Sequence, residues 1–438
     1  MESVIRINYP GKPGQINIEI LDLWMDKGKM NEIERKVISE INETEMINFI
    51  QKLIQCKSCY PPGDTIEIAD ILAEKMKNAG IATKIVYPPE EITSALGDHT
   101  ENCRVRSVLG EIKGSSNGPV LLLNAHIDTV SPGDMSNWEY NPFEAVIKDN
   151  KVFGRGAGDD KGSVAAQVMA AAAIARAGVE LKGTLQINPV ADEEASSNRG
   201  TRWLKEAGCL NPDYLIVGEQ TDNIVCIAER AVLWLKVTIK GKAAHGAMPW
   251  AGNNAVARMS EFICRVNHEL AIEFQKRKHP FLPSTSISTT KIEGGIKTNI
   301  IPEICTLEID CRLAPGDTEG SVLREVEGIL TELSEKGQAF EWRVEILQSD
   351  GKPIETDSND KLVTTMLEAL NEVSGHKHAP GGYNQASDAR IFSETGIPIV
   401  IFGPGDPSLG HAPNEYISID QLLEATKTYA LIILRLIG

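Results

Sequence analysis

The sequence has no apolar run long enough to cross a bilayer: its most apolar stretch, 164–177, is too short and carries Gln167 and Arg176. The opening residues, MESVIRINYPGKPGQ, lack the apolar segment of a secretory leader, so a soluble, cytoplasmic protein is expected. Basic residues are in short supply. Against 61 Asp and Glu stand 44 Lys and Arg, a formal net charge of -17. Phosphate backbones and anionic lipid are held mainly by clustered cations, so neither nucleic acid nor a membrane surface is an expected partner, and a small-molecule substrate is. Cysteines are few and scattered, 8 in 438 residues, which fits reduced thiols and not a disulfide framework. The one close pair, Cys56 and Cys59, lacks the second pair that a zinc knuckle needs. Repeats and low-complexity segments are absent too, which removes solenoids and linker arrays.

What remains is an ordinary globular composition, 42% hydrophobic and 24% charged, in a chain longer than one hydrophobic core usually supports. Apolar spacing predicts helices at 31–57 and 66–79 with a Pro-Gly turn between them. Strands are predicted at 104–112, 120–123, 184–190 and 214–217, with helices at 163–177 and 200–206, an alternation that implies a parallel or mixed sheet covered on both faces. The middle changes character: strand 231–240, helix 254–275, strands 284–292 and 304–313, helix 320–336 and strand 340–347 follow the β-α-β-β-α-β order of a ferredoxin-like unit. Beyond residue 351 the earlier grammar resumes, with helix 360–373, strand 397–402 and helix 420–436. The expected fold is therefore α/β: a mixed-sheet domain in two parts, 1–228 (with 1–30 as an extension of unassigned role) and 349–438, interrupted by an inserted α+β domain at 229–348.

Five short segments carry the chemistry, each at the end of a predicted strand or in the loop after it, where open α/β sheets place their ligand sites. They are Ala125-His126-Ile127-Asp128, the run from Gly156 to Gly162 containing Asp159 and Asp160, Asp192-Glu193-Glu194, Gly218-Glu219, and Gly410-His411-Ala412. A lone histidine ending a strand is more often a satisfied polar residue than a ligand, and a Glu-Glu pair is usually solvated surface. It is their joint order after apolar strands that argues for function.

In that order, and over nearly the whole chain, the segments resemble the zinc-dependent aminopeptidase and deacylase superfamily called M20, and within it acetylornithine deacetylase and succinyl-diaminopimelate desuccinylase. The resemblance implies a zinc-aminopeptidase-like catalytic domain with a lid or dimerisation domain inserted. It implies two divalent ions, zinc first with cobalt or manganese as alternatives, bridged by Asp159, one completed by His126 and Glu219 and the other by Glu194 and His411. Imidazoles and carboxylates without thiolate suit such hydrolytic ions, and three carboxylates offset most of the charge of two dications. Asp128 is expected to accept the second N–H of His126 and fix its tautomer, and the peptide from Asp159 to Asp160 is expected to be cis. Glu193, with no metal assigned, is the expected general base, taking a proton from the attacking water and delivering it to the departing nitrogen. From the inserted domain, the resemblance assigns His245 and Asn299 to the active site of a partner subunit and Arg312 to a substrate carboxylate, which requires a homodimer made by this domain.

Two departures bear on the substrate. Where desuccinylases carry paired arginines before the first inserted strand, this chain reads Glu229-Arg230, leaving one anion-binding group, Arg230, and arguing against a succinyl group. A Gly-Gly-Thr-Ser-Asp loop becomes Gly381-Gly-Tyr-Asn-Gln-Ala-Ser-Asp388, about three residues longer, and brings Tyr383 and Asn384 as candidate substrate contacts. The expected activity is amide hydrolysis of an N-acyl amino acid, with a dipeptidase or carboxypeptidase, or a hydrolase of a non-peptide C–N bond, as alternatives. A silent binding protein would be free to lose the base or a ligand, and this chain retains Glu193 and all five ligands.

Overall fold

The computed structural model describes residues 30–95, 104–336 and 339–438, so most of the N-terminal extension lies outside the described residues. In chain order the main strands are β1 (Ala82–Val86), β2 (Ser107–Ile112), β3 (Val120–His126), β4 (Thr184–Val190), β5 (Tyr214–Val217), β6 (Cys226–Glu229), β7 (Ala231–Lys240), β8 (Ser286–Gly294), β9 (Ile304–Leu313), β10 (Glu341–Ser349), β11 (Ile354–Glu355), β12 (Gly381–Tyr383) and β13 (Ile399–Ile401). Nine of them form one mixed sheet in the order β11-β6-β13-β5-β3-β4-β2-β1, with β12 also paired to β6. Its centre, β13, β5, β3 and β4, is parallel.

Along β3 the side chains alternate between two cores. Leu121 and Leu123 belong to one and Leu122 to the other, so the strand is apolar at consecutive positions from Val120 to Leu123 and not at every second one. The first core is roofed by helix Lys161–Arg176, whose run of alanines is fully buried against the sheet and against helix Ile419–Ile437. Small side chains let these backbones approach closely, at the cost of any amphipathic signature.

The second sheet has four strands in the order β8-β9-β7-β10, all antiparallel, with helices Ala255–Arg265 and Glu319–Lys336 sharing its core. Alternation along β9, with Cys305, Leu307, Ile309, Cys311 and Leu313 buried, is that of a sheet covered on one face. Glu229 ends a strand of the large sheet and Ala231 begins one of the small sheet, so the single residue Arg230 carries the chain from one to the other.

The helix expected at 31–57 is two helices, Glu32–Ser39 and Glu43–Gln55. Asn42 interrupts it: its side chain accepts the Glu45 N–H at 2.8 Å and starts a fresh helix at an angle the 3.6-residue period does not reveal. The helix expected at 254–275 contains a π turn at Val266–Leu270. Strands β1, β6, β11 and β12, of two to five residues, went unread because they lack the uninterrupted apolar run by which the equally short β5 and β13 are legible. No helix among the described residues is long and apolar enough to cross a membrane.

Candidate metal centre

Parallel β3, β4 and β5 end at the same edge of the sheet, and the segments leaving their C-terminal ends converge there. His126 is the last residue of β3, Asp192 to Glu194 come after β4, and Glu219 after β5. Asp159 arrives just ahead of helix Lys161–Arg176, and His411 from the loop before the C-terminal helix, in the left-handed region at φ 63°. The five side chains make two groups whose ligand atoms lie within 4.8 Å of one another: His126, Asp159 and Glu219, and Asp159, Glu194 and His411. Asp159 belongs to both. Its Oδ1 is 2.9 Å from His126 Nε2, and its Oδ2 is 3.3 Å from His411 Nε2, which also sits 3.2 Å from Glu194 Oε2.

The surroundings fix these groups. His126 Nδ1 lies 2.9 Å from the main-chain oxygen of Asp128 and 3.9 Å from its carboxylate, so the acceptor differs from the one expected. The Asp128 carboxylate is turned instead to the N–H groups of Glu193 and Glu194, at 3.3 and 3.2 Å, and thereby positions the loop that carries both glutamates. The Asp159–Asp160 peptide is cis. Glu415 was not anticipated from the sequence. Its carboxylate accepts from the N–H groups of Gly156, Gly158 and Asp159 at 2.8 to 3.0 Å and pairs with buried Arg155 at 2.7 Å, gathering the loop that presents Asp159.

Burial raises the carboxyls of Glu193 and Glu219 well above the usual carboxylate range, because a charge out of water is costly unless something offsets it. Glu194 Oε1 is buried with no hydrogen-bond partner among the described residues. Crowded carboxylates, an unused buried oxygen and two imidazoles without thiolate form a donor set that fits divalent cations.

A cleft of about 700 Å³ opens over these residues, lined also by Arg202, Arg390 and, from the small sheet, Trp234, Arg312 and Gln348. Glu193 faces it from outside both triads, with Oε1 3.5 Å from Arg390. Arg312 is steadied by Asp310, which also takes the Trp234 indole N–H at 2.8 Å. Arg230 is half-buried at the joint between the sheets, outside the cleft lining. Its neighbour Glu229 is buried and accepts from the Ser387 hydroxyl and N–H at 2.6 and 3.1 Å, so the residue standing in for an arginine tethers the lengthened loop. Tyr383, in that loop, is buried with its hydroxyl 2.9 Å from Glu219 Oε2, whereas Asn384 is exposed and off the cleft lining.

His245 and Asn299 are brought together, away from this cleft. His245 pairs with Ile300 across a two-residue ladder, Gly246 N–H donates to the Asn299 carbonyl at 2.8 Å, and both residues are exposed. Sequence reasoning missed Glu415, Arg155, Arg202, Arg390 and Gln220, and it had Gln385 only as part of the lengthened loop. Arg155 could have been suspected as a charged residue within a glycine-rich run, and the others carried no local signal.

Residues 122–435 match the family model described as peptidase family M20/M25/M40. Among curated proteins the chain is similar to succinyl-diaminopimelate desuccinylase of Marinobacter nauticus, 29% identical over 353 residues, 78% of this chain and 90% of that one. Among solved structures it resembles aminopeptidase PepT from Bacillus cereus, with TM-score 0.69 at 19% identity over 91% of this chain and 99% of that one. It also resembles the Bacillus subtilis YXEP protein, described as a dinuclear metal binding peptidase from the M20 family, with TM-score 0.63 at 18% identity over 90% and 97%. The match spans well over half the sequence and takes in every residue of both triads, and on that basis the chain belongs to peptidase family M20/M25/M40 and is a metal-dependent hydrolase.

Proposed function

We propose that the chain hydrolyses the amide bond of a small N-acyl amino acid with two divalent ions, zinc foremost, one held by His126, Asp159 and Glu219 and the other by Asp159, Glu194 and His411. The observation that carries this reading is the membership of Asp159 in both triads. When bound, such ions polarise a carbonyl oxygen and lower the pKa of water. Glu193 faces the same cleft free of either triad, so it takes a proton from the attacking water and returns it to the leaving nitrogen, with Arg390 orienting its carboxylate. Arg312 and Arg202 line the cleft and suit a carboxylate on the substrate. Similarity to a desuccinylase favours the acylated class. A succinyl group is disfavoured, since the carboxylate of Glu229 points into the loop at Ser387 where a guanidinium would be wanted.

In this reading residues 229–348 are an inserted unit that makes a homodimer and offers His245 and Asn299 to the partner's cleft, and the enzyme works in the cytoplasm. Metal content by elemental analysis, joined to parallel assays of N-acyl amino acids, dipeptides and heterocyclic amides, tests the proposal. Two ions per chain and turnover confined to acyl amino acids are expected. Exclusive turnover of dipeptides would move the assignment to a peptidase, and a chain without bound metal would overturn it.

A further inference from the structure

Gln220, the residue after Glu219, is 2% exposed, with Nε2 3.0 Å from Asp159 Oδ2 and 3.2 Å from Gln385 Oε1. Tyr383 Oη lies 2.9 Å from Glu219 Oε2 and 2.8 Å from the same Gln385 Oε1. Gln385 Nε2 donates to the Pro407 carbonyl at 3.1 Å, and this sets its amide so that the oxygen faces both neighbours. The hydrogens can then be assigned. The two on Gln220 Nε2 go to Asp159 and Gln385, and once Glu219 ligates a cation as a carboxylate the single phenolic hydrogen of Tyr383 goes to it in preference to a neutral amide.

The packing makes room for this contact. A Cβ at Gly410 would stand 2.8 Å from Gln220 Nε2 and 3.2 Å from Asp159 Oδ2, so glycine beside His411 leaves the space that Gln220 occupies. Gln220 Oε1 is buried with no hydrogen-bond partner among the described residues. An amide buried with its acceptor unused is unfavourable for folding, so an apolar side chain of similar length would suit position 220 better if packing were its only task.

We infer that Gln220, Tyr383 and Gln385 are positioning residues: a hydrogen-bonded bracket that holds Asp159 and Glu219 ready for cations and acts on the two ions unequally. This rests on the two-ion reading above. Tyr383 grips Glu219, which belongs only to the triad with His126. Gln220 grips Asp159 through Oδ2, the oxygen turned to His411, while Oδ1 is turned to His126. The lengthened loop at 381–388 thereby sets how tightly each ion is held, and the Tyr383 hydroxyl serves the ligands.

The test is titration of the full-length, metal-stripped protein with Co²⁺ alone, read by visible absorption and by competition with a chromophoric chelator. Tyr383→Phe is expected to weaken the His126-side ion about 10- to 100-fold, the range for groups that orient metal ligands, and to change the other ion much less. Gln220→Met is expected to do the reverse. Site assignment comes from repeating each variant in His411→Ala and His126→Ala backgrounds, each of which leaves one triad: the tyrosine effect persists in the first and the glutamine effect in the second. The thermal midpoint of the metal-stripped protein should hold steady or rise in Gln220→Met. Wild-type Co²⁺ affinity in both variants overturns the bracket, as does equal weakening of both ions accompanied by a lowered metal-stripped midpoint, which would mark a packing role. A wild-type chain that takes up no Co²⁺ overturns the two-ion reading itself, a failure separable from the other two.

Discussion

At the edge of the large sheet the reactive side chains are each already held: Asp159 by Glu415 and Gln220, Glu219 by Tyr383, and the loop bearing Glu193 and Glu194 by Asp128. On the hairpins of the small sheet, His245 and Asn299 stand in solvent, joined by a two-residue ladder and one backbone hydrogen bond, with Trp250 77% and Ile296 90% exposed on the same two loops. The first region is organised within one chain before anything binds, the condition for metal affinity and proton transfer. The second is held among the described residues by local turns, with the Ala247 N–H donating to His245 Nδ1 at 3.1 Å. Substitutions in the two regions should therefore fail differently, the first through chemistry and stability together and the second through chemistry alone.

The largest effect that would sharpen this contrast is on the base. Glu193→Gln should lower kcat by up to about 10⁴-fold while elemental analysis still finds both ions, and near-normal turnover would remove the assigned role. Next is the support beneath Asp159. Glu415→Ala strands buried Arg155 and three N–H donors, and should cost about 3–5 kcal/mol in urea unfolding of the metal-stripped protein. An unchanged midpoint would mean that the loop is not held as described. Third, His245→Ala should lower kcat about 10²- to 10³-fold yet leave unfolding within about 0.5 kcal/mol, since the residue is exposed. Mixing that variant with Glu193→Gln should restore turnover if the histidine serves a partner's cleft, and the absence of restoration would place it in its own.

The smallest effect lies on the outer helices of the large sheet. Hydrogen bonds from Arg176, assisted by Lys75, hold the Glu45 carboxyl at about 2 against an ordinary 4.5. A depressed carboxyl stabilises the fold fully above its unfolded value and loses that contribution as pH falls toward the folded one. Glu45→Gln should therefore lower the thermal midpoint modestly at neutral pH, the group being partly solvated, and the gap from wild type should close between pH 4.5 and 2. A gap that persists at the acid end of that range would assign the effect to packing.

Much of the site was legible because its residue types are conspicuous where they occur. Histidine and acidic residues directly after apolar strands, as at His126, Glu194 and Glu219, stand out against a pattern that buries everything near them. Glu415 was not legible for the opposite reason: its partners Arg155, Gly156 and Gly158 lie some 260 residues away, and nothing local distinguishes it from a surface glutamate. The Asp128 carboxylate fell between these cases. Its place beside His126 was readable from an extended segment, but whether main chain or side chain meets the imidazole depends on how the β4 loop arrives. Tyr383 reads in sequence as a pocket residue, and only the closeness of β12 to β6 turns its hydroxyl onto Glu219.

The chain's own order of residues determined the α/β grammar, the inserted β-α-β-β-α-β unit and the five segments that hold the candidate ligands, because these are written in local period and in charged or glycine-rich runs at strand ends, while the choice of ligands within them came from the resemblance to M20. Tertiary structure alone decided that Glu415 holds the backbone of Asp159 while Gln220 holds its carboxylate, and that the Asp128 carboxylate serves the Glu193–Glu194 loop and not the imidazole. Those outcomes depend on which distant backbones approach one another, and a one-dimensional pattern fixes the direction of a side chain along its own strand or helix without fixing what that side chain meets.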